Sequence, residues 1–420
     1  MKKLFLFILL PIFFYQFSFA QEHQRIKRCG TMEYLELQKK SDTTLEARRQ
    51  KIEKETQKWI KENKDKINSS KTIITIPVVV HVVYRTPDQN ISDAQIYSQI
   101  DVLNEDFRRI NADASNTPSI FLGVAADCEI DFCLAARTPN GQWTTGITRT
   151  LTTKSSFSYG ADDVKFASTG GHDIWDRNKY LNIWVCNLDG GLLGYTQFPN
   201  GGPASTDGVV VLYNAFGRIG NLLPVYNKGR SCTHEIGHWF NLYHVWGGNI
   251  SSCTDSDLVD DTPNQDDENY YCPTFPETSC GNTSDMFMNY MDYTDDDCMN
   301  IFTKGQKARM YATLNGFRSS IKSSNGCVQN GISKSDIVKD ISIFPNPVSE
   351  IINLNIVLFD NDDISVKILD MFGKEIYYVS KKNLSNLNLE INLSDYSAGM
   401  YFVRILTKNQ LVTKKISVIK

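Results

Sequence analysis

Two lysines and an unbroken apolar stretch, Leu4 to Phe14, open the chain, which then stays polar as far as Thr72. Residues 21–70 are rich in Lys, Glu and Gln. The helical run predicted around Leu45–Ile67 is too polar to build a core by itself and fits a segment lying on another surface. The pattern changes at Thr72–Tyr84, TIITIPVVVHVVY, whose β-branched residues predict a central strand. Ile96, Ile100, Leu103 and Phe107 follow at helical spacing and predict an amphipathic helix. Further strands are predicted at Ile130–Ala135, Leu181–Cys186 and Val209–Tyr213, and a helix comes after them. Strands mixed with long helices indicate an α+β domain over 71–327. Beyond a linker at 328–337, short runs recur at 341–344, 352–356, 364–369, 387–393, 399–406 and 412–419. Turn residues separate them, so 338–420 is predicted to be a small all-β sandwich. It contains neither cysteine nor histidine and is expected to perform no metal chemistry.

A chain of 420 residues has room for two or three domains. The formal net charge is −4, and nothing points to a nucleic-acid partner. Met1–Ala20 reads as a secretory signal, because small residues Ser18 and Ala20 close a lysine-led apolar stretch. That stretch is short for a membrane anchor, and no other segment is apolar enough to span a bilayer. Export turns the ten cysteines towards disulfides. Cys253, Cys272, Cys280 and Cys298 share one loop-rich stretch and suggest a stapled subdomain, for which spacing leaves three pairings open. Cys133 and Cys186, in strand-like runs, read as buried thiols.

Three of the six histidines fall within His234-Glu-Ile-Gly-His-Trp-Phe-Asn-Leu-Tyr-His244. His234 and His238, four apart, share a helix face. Zinc takes imidazole nitrogens in a tetrahedron, and a catalytic site leaves one position for water. Glu235 flanks the metal and suits the role of general base. His244 would point away if the helix continued, so the helix must end and the chain reverse. Asn241 is placed where a positive φ is needed.

The pattern His-Glu-x-x-His-x-x-Asn-x-x-His resembles the metzincins. The stretch Met286–Cys298, MFMNYMDYTDDDC, is similar within them to the pappalysin family of ulilysin and mirolysin type, over residues 25–320. The resemblance implies a metzincin catalytic domain, with a twisted mixed sheet and a zinc-site helix. It makes the chain a zinc metalloendopeptidase acting on proteins or peptides. Met291 would form the base under the metal, and Tyr293 would aim its hydroxyl at the scissile carbonyl. Disulfides Cys253–Cys280 and Cys272–Cys298 are implied, as is a calcium site in the loop 255–263 through Asp257, Asp260 and Thr262. Asp296 matches the acid lining the pocket just beyond the scissile bond, which would favour Arg or Lys there.

The same resemblance reads Arg28-Cys29-Gly30 as a cysteine switch, with the Cys29 thiolate holding zinc in a latent form. Residues 21–70 would then be a pro-segment, and Ser70–Lys71 a candidate for self-processing. Phe344–Pro347, Ile368–Lys374 and Ser397–Arg404 resemble the sorting domain of Bacteroidota type IX secretion. It implies export across the outer membrane, to the medium or the cell surface. The competing reading is a catalytically inactive surface adhesion or binding protein on the same scaffold.

Overall fold

A strand apolar on both faces organises the larger part of the chain. The computed structural model describes residues 26–69, 72–248, 252–328, 338–407 and 411–420; the signal stretch and the Ser70–Lys71 bond lie outside them. In chain order the first elements are helices α1 (Thr31–Ser41) and α2 (Leu45–Ser69), strand β1 (Ile74–Tyr84), helix α3 (Asp93–Phe107) and the short helix α4 (Ser119–Leu122). Strands β2 (Ile130–Leu134), β3 (Ile147–Leu151), β4 (Leu181–Cys186), β5 (Gly194–Thr196) and β6 (Val209–Leu212) precede helices α5 (Arg230–Trp239) and α6 (Lys304–Asn315).

The sheet order is β2-β1-β4-β6-β5, with β3 also on β1. The first half of β1 pairs parallel with β2 and its second half with β3, while β4 runs parallel along its other side. β5 closes the row as an antiparallel edge strand on β6. Residues two apart share a face of a strand. Ile76, Val78, Val80 and Val82 of β1, with Ile183 and Val209, pack against α3, α5 and α6. Val83, Trp184, Cys186 and Val210 fill a second core on the opposite face. Both faces are covered, which is why these strands read as nearly continuous apolar runs.

Three disulfides join Cys133 to Cys327, Cys253 to Cys280 and Cys272 to Cys298. The expectation for Cys133 is corrected: it is no thiol but ties β2 to the end of the domain. Strand character spoke for burial and said nothing of a partner 194 residues away. Cys29, Cys128, Cys186 and Cys232 are free and buried.

The C-terminal unit is a five-stranded antiparallel sheet of β7 (Val338–Phe344), β8 (Ile351–Asp370), β9 (Glu375–Asn392), β10 (Gly399–Leu406) and β11 (Leu411–Val418). The runs expected as separate strands at 352–356 and 364–369 are one long strand. Register shifts on either side of Asp362 absorb the acidic stretch that reads as a turn in the sequence. Ile352, Leu354, Ile356, Ile364, Val366 and Ile368 keep one face buried across those shifts.

Candidate metal centre

Helix α5, RSCTHEIGHW, is buried along its whole length. It starts after Gly229, whose φ of 77° suits glycine. Arg230 in its first turn is held by carboxylates from two directions, Asp106 at 3.1 Å and Asp113 at 3.0 Å. Thr233 and Tyr290 donate to the same Asp106 at 2.8 and 2.9 Å. The helix is thereby pinned to α3 and to the loop around Tyr290. Gly237 lies against Met291: a Cβ there would stand 2.3 Å from the Met291 sulfur.

At its end the helix turns on Asn241, with φ 74°. Asn241 N–H donates to His238 O at 2.9 Å and Leu242 N–H to Gly237 O at 3.0 Å, the Schellman pattern. The reversal brings His244 back to the helix face. His238 Nε2 then lies 3.2 Å from His234 Nε2 and 3.0 Å from His244 Nε2.

Burial keeps all three imidazoles neutral, with pKa values well below the usual histidine range; His238 falls to about 3. His234 Nδ1 donates to Tyr290 O at 2.7 Å and His238 Nδ1 to Leu242 O at 2.8 Å. Carbonyls can only accept, so the His234 and His238 rings carry their protons on Nδ1 and present bare lone pairs at Nε2. Lone pairs crowded to this distance repel unless a cation lies among them. Zinc–nitrogen bonds of about 2.0–2.1 Å in a tetrahedron place nitrogens roughly 3.3 Å apart. The donor set fits zinc.

Cys29 offers a fourth possible donor. Its sulfur and the three histidine nitrogens lie within 4.8 Å of one another; among the described residues this is the cluster of three or more such groups that could hold a metal. Burial, then the charge of Glu235, pushes the thiol well above its ordinary value. A divalent cation reverses that sign by stabilising the thiolate.

Glu235 is buried beside the cluster. Its Oε2 accepts from Thr31 Oγ1 at 2.9 Å and Thr196 Oγ1 at 2.8 Å, while Oε1 has no partner. Burial raises its pKa to about 7. Gly194 makes the close approach of β5 possible, since a Cβ there would stand 2.7 Å from Glu235 Cγ. Tyr293 packs near His244, ring centroids 4.9 Å apart, and its hydroxyl donates to Cys29 O at 3.5 Å. Trp246 stacks on His244 at 4.4 Å.

Asp296 is fully buried, whereas Asp297 points outward to Lys228. Its Oδ2 accepts Lys228 N–H at 2.9 Å and Arg230 N–H at 3.1 Å, and its Oδ1 accepts Arg28 Nη2 at 3.0 Å. Residues before α2 thus occupy three adjacent places: Arg28 on Asp296, Cys29 at the histidines, and Thr31 on Glu235. Their backbone follows β5, with Lys27 N–H on Gly191 O at 3.0 Å and Gly30 N–H on Gly194 O at 2.9 Å.

The acidic loop is less convergent. Thr262 Oγ1 donates to both oxygens of the buried Asp257 at 2.8 and 2.9 Å, and burial lifts Asp257 to about 7. Asp260 stands exposed to solvent. The sequence reading singled out neither Thr196, Gly194, Trp246 nor Arg230. The available signal was the run Gly190-Gly-Leu-Leu-Gly194, where glycines mark a close backbone approach.

Residues 167–315 match the family described as pregnancy-associated plasma protein-A, and residues 342–420 match the secretion system C-terminal sorting domain. An extracellular metalloprotease of Arthroderma otae is 34% identical over 250 residues, covering 58% of this chain and 79% of that protein. Mature mirolysin of Tannerella forsythia, solved with a cleaved peptide, is 55% identical with a TM-score of 0.59. The match covers 60% of this chain and 97% of that one. A promirolysin variant from the same organism is 48% identical with a TM-score of 0.62, covering 70% of this chain and 97% of that one.

Proposed function

The chain belongs to the pregnancy-associated plasma protein-A family of zinc metalloproteases, and from that premise we propose a latent endopeptidase that cuts before Arg or Lys. It is a secreted metalloendopeptidase whose C-terminal sorting domain directs type IX export. The observation that carries the finer reading is the seating of Arg28 on Asp296 and of Cys29 at the three histidines within one segment.

In this proposal His234, His238 and His244 hold zinc, and Cys29 takes the fourth place in the latent form. Zinc bound there supplies Lewis-acid polarisation and makes water acidic enough to attack near neutral pH. Glu235, through the free Oε1, accepts the proton of the attacking water and passes it to the leaving amine. Thr196 orients that carboxylate from β5. Tyr293 donates to the scissile carbonyl oxygen as negative charge grows on it; in the latent form the Cys29 carbonyl takes that hydrogen bond. Met291 supports α5 from beneath through its contact with Gly237.

Residues 21–70 act as the pro-segment. α2 is fastened by Glu53, which accepts from the two terminal nitrogens of the Arg309 guanidinium at 2.7 and 2.8 Å. The mature relative covers 60% of this chain and the pro-form 70%, consistent with a segment removed on maturation. The Arg28–Asp296 pair supports the specificity: a buried carboxylate requires a partner, and a guanidinium meets it with charge-assisted hydrogen bonds.

Peptide cleavage by the processed chain should be abolished by a zinc chelator and restored by zinc. Glu235→Ala should bind zinc normally and lose about 10³-fold or more in kcat/KM. Chelator-resistant cleavage, or an active Glu235→Ala chain, sinks the mechanism. Asp296→Ala should remove the advantage of Arg over Ala peptides after the cut, about two orders of magnitude, through KM more than kcat. An unchanged preference would mean another acid selects the base. The loop 255–263 is proposed to bind calcium through Asp257, Asp260 and Thr262. Selective calcium chelation that leaves zinc in place should lower Tm by several degrees; an unmoved Tm removes calcium from the account.

A further inference from the structure

Beyond Arg28 and Cys29, the first helix buries a third polar anchor. Tyr34 on α1 is 4% exposed, and each function of its phenol has a partner. The O–H donates to Asp162 Oδ2, and the oxygen accepts from Lys165 Nζ at 3.3 Å. The ring meets Tyr195 edge-on at 5.1 Å, and the Lys165 ammonium lies 4.7 Å from its centroid. Tyr195 donates to the other Asp162 oxygen at 2.9 Å. Lys165, itself fully buried, is also held by Asp162 at 2.9 Å and by Thr206 O at 2.8 Å. Asp162, Lys165, Tyr195 and Thr206 all belong to the catalytic domain, so the cavity remains when α1 leaves.

Its position relates it to the cleft. Tyr195 lies on β5 between Gly194, whose carbonyl accepts Gly30 N–H, and Thr196, whose hydroxyl holds Glu235. Strand alternation sends Tyr195 to the face opposite its two neighbours. The pro-segment advances along this edge, Lys27 beside Leu192, Gly30 at Gly194 and Thr31 at Thr196. It therefore moves away from the Asp296 pocket as it approaches Tyr34. Space-filling alone would be met by a leucine or a phenylalanine. A buried ammonium and carboxylate instead call for an occupant that both accepts and donates hydrogen bonds.

We propose that this cavity is, once the pro-segment is gone, a subsite that selects a tyrosine side chain of the peptide substrate on the N-terminal side of the cut. The inference rests on the peptidase reading above, in which residues 21–70 are removed and the stretch from Arg28 to Thr31 fills the substrate cleft until then. Tyr34 shows the chemistry of the occupant: Asp162 accepts the phenol proton, Lys165 donates to its oxygen, and Tyr195 walls the ring. Burial and the neighbouring Asp162 push the Tyr34 hydroxyl well above its ordinary value, so it stays a donor. Phenylalanine fills the same ring volume and leaves both charged groups without their third partner.

The full-length chain, activated by limited proteolysis, is assayed on peptides in which one arginine fixes the cut and Tyr, Phe or Ala is scanned through the positions before it. Tyr should exceed Phe by about tenfold in kcat/KM at one position, and Asp162→Asn should erase that ratio. Equal rates for Tyr and Phe at every position overturn the proposal. A second arm needs no turnover and no Asp162 variant: intact Tyr34→Ala chain is titrated with p-cresol or toluene while Tm is followed. p-Cresol should raise Tm more than toluene; equal shifts overturn the phenol selectivity. A chain that binds p-cresol but cuts no peptide contradicts the peptidase reading and with it the subsite, while the phenol cavity stands.

Discussion

Three buried histidine nitrogens, with His238 Nε2 3.2 Å from that of His234 and 3.0 Å from that of His244, are the constraint on which the rest of the larger domain depends. Each ring is fixed from behind or beside: His234 by the Tyr290 carbonyl, His238 by the Leu242 carbonyl, His244 by the face of Trp246. Those supports come from the loop beyond the helix and from a stretch near residue 290. A site assembled from such distant pieces needs a rigid frame. The Asp106–Arg230–Tyr290 cluster supplies part of it, joining α3, α5 and that stretch in one hydrogen-bonded knot. Gly237 and Gly194 supply another part by leaving room, one for the Met291 sulfur and one for the Glu235 side chain.

The segment ahead of β1 reads as an internal occupant of the same cleft. It offers sulfur to the metal position, a guanidinium to Asp296, a hydroxyl to Glu235 and a phenol to Asp162. Each contact satisfies a buried group that would be costly to leave alone. In the proposed account these groups are the ones a substrate meets later, so latency and recognition use one set of side chains. Fastening by Glu53 on Arg309 adds a restraint away from the chemistry, and Arg309 also donates to the Asn241 carbonyl at the turn before His244.

Much of this was legible in the sequence because it is local. The strand Ile74–Tyr84, the helix Asp93–Phe107 and the histidine helix announce themselves through apolar period and ligand spacing. Asn241 could be placed at the bend because His244 cannot otherwise reach its partners. Three-residue β5 could not be read, since Gly-Tyr-Thr carries no period, yet it orients Glu235 and lines the cleft. The Cys133–Cys327 bond escaped for a related reason: strand character predicts burial of a sulfur and nothing about its distant partner. Asp296 stood among three consecutive acids, and only the fold shows that it turns inward while Asp297 meets solvent. In the C-terminal unit, the acidic residues near Asp362 imitate a turn because register shifts and turns both tolerate polar residues.

The central claim is that one zinc ion is shared by three imidazoles and the Cys29 sulfur in the intact chain. Zinc-edge X-ray absorption on purified full-length protein tests it most directly. The account predicts three nitrogen scatterers at about 2.0–2.1 Å and one sulfur at about 2.3 Å, with the sulfur replaced by oxygen after the N-terminal segment is removed. A first shell without sulfur in the intact chain would contradict the latent plug. A chain that retains no zinc at all would contradict the centre itself.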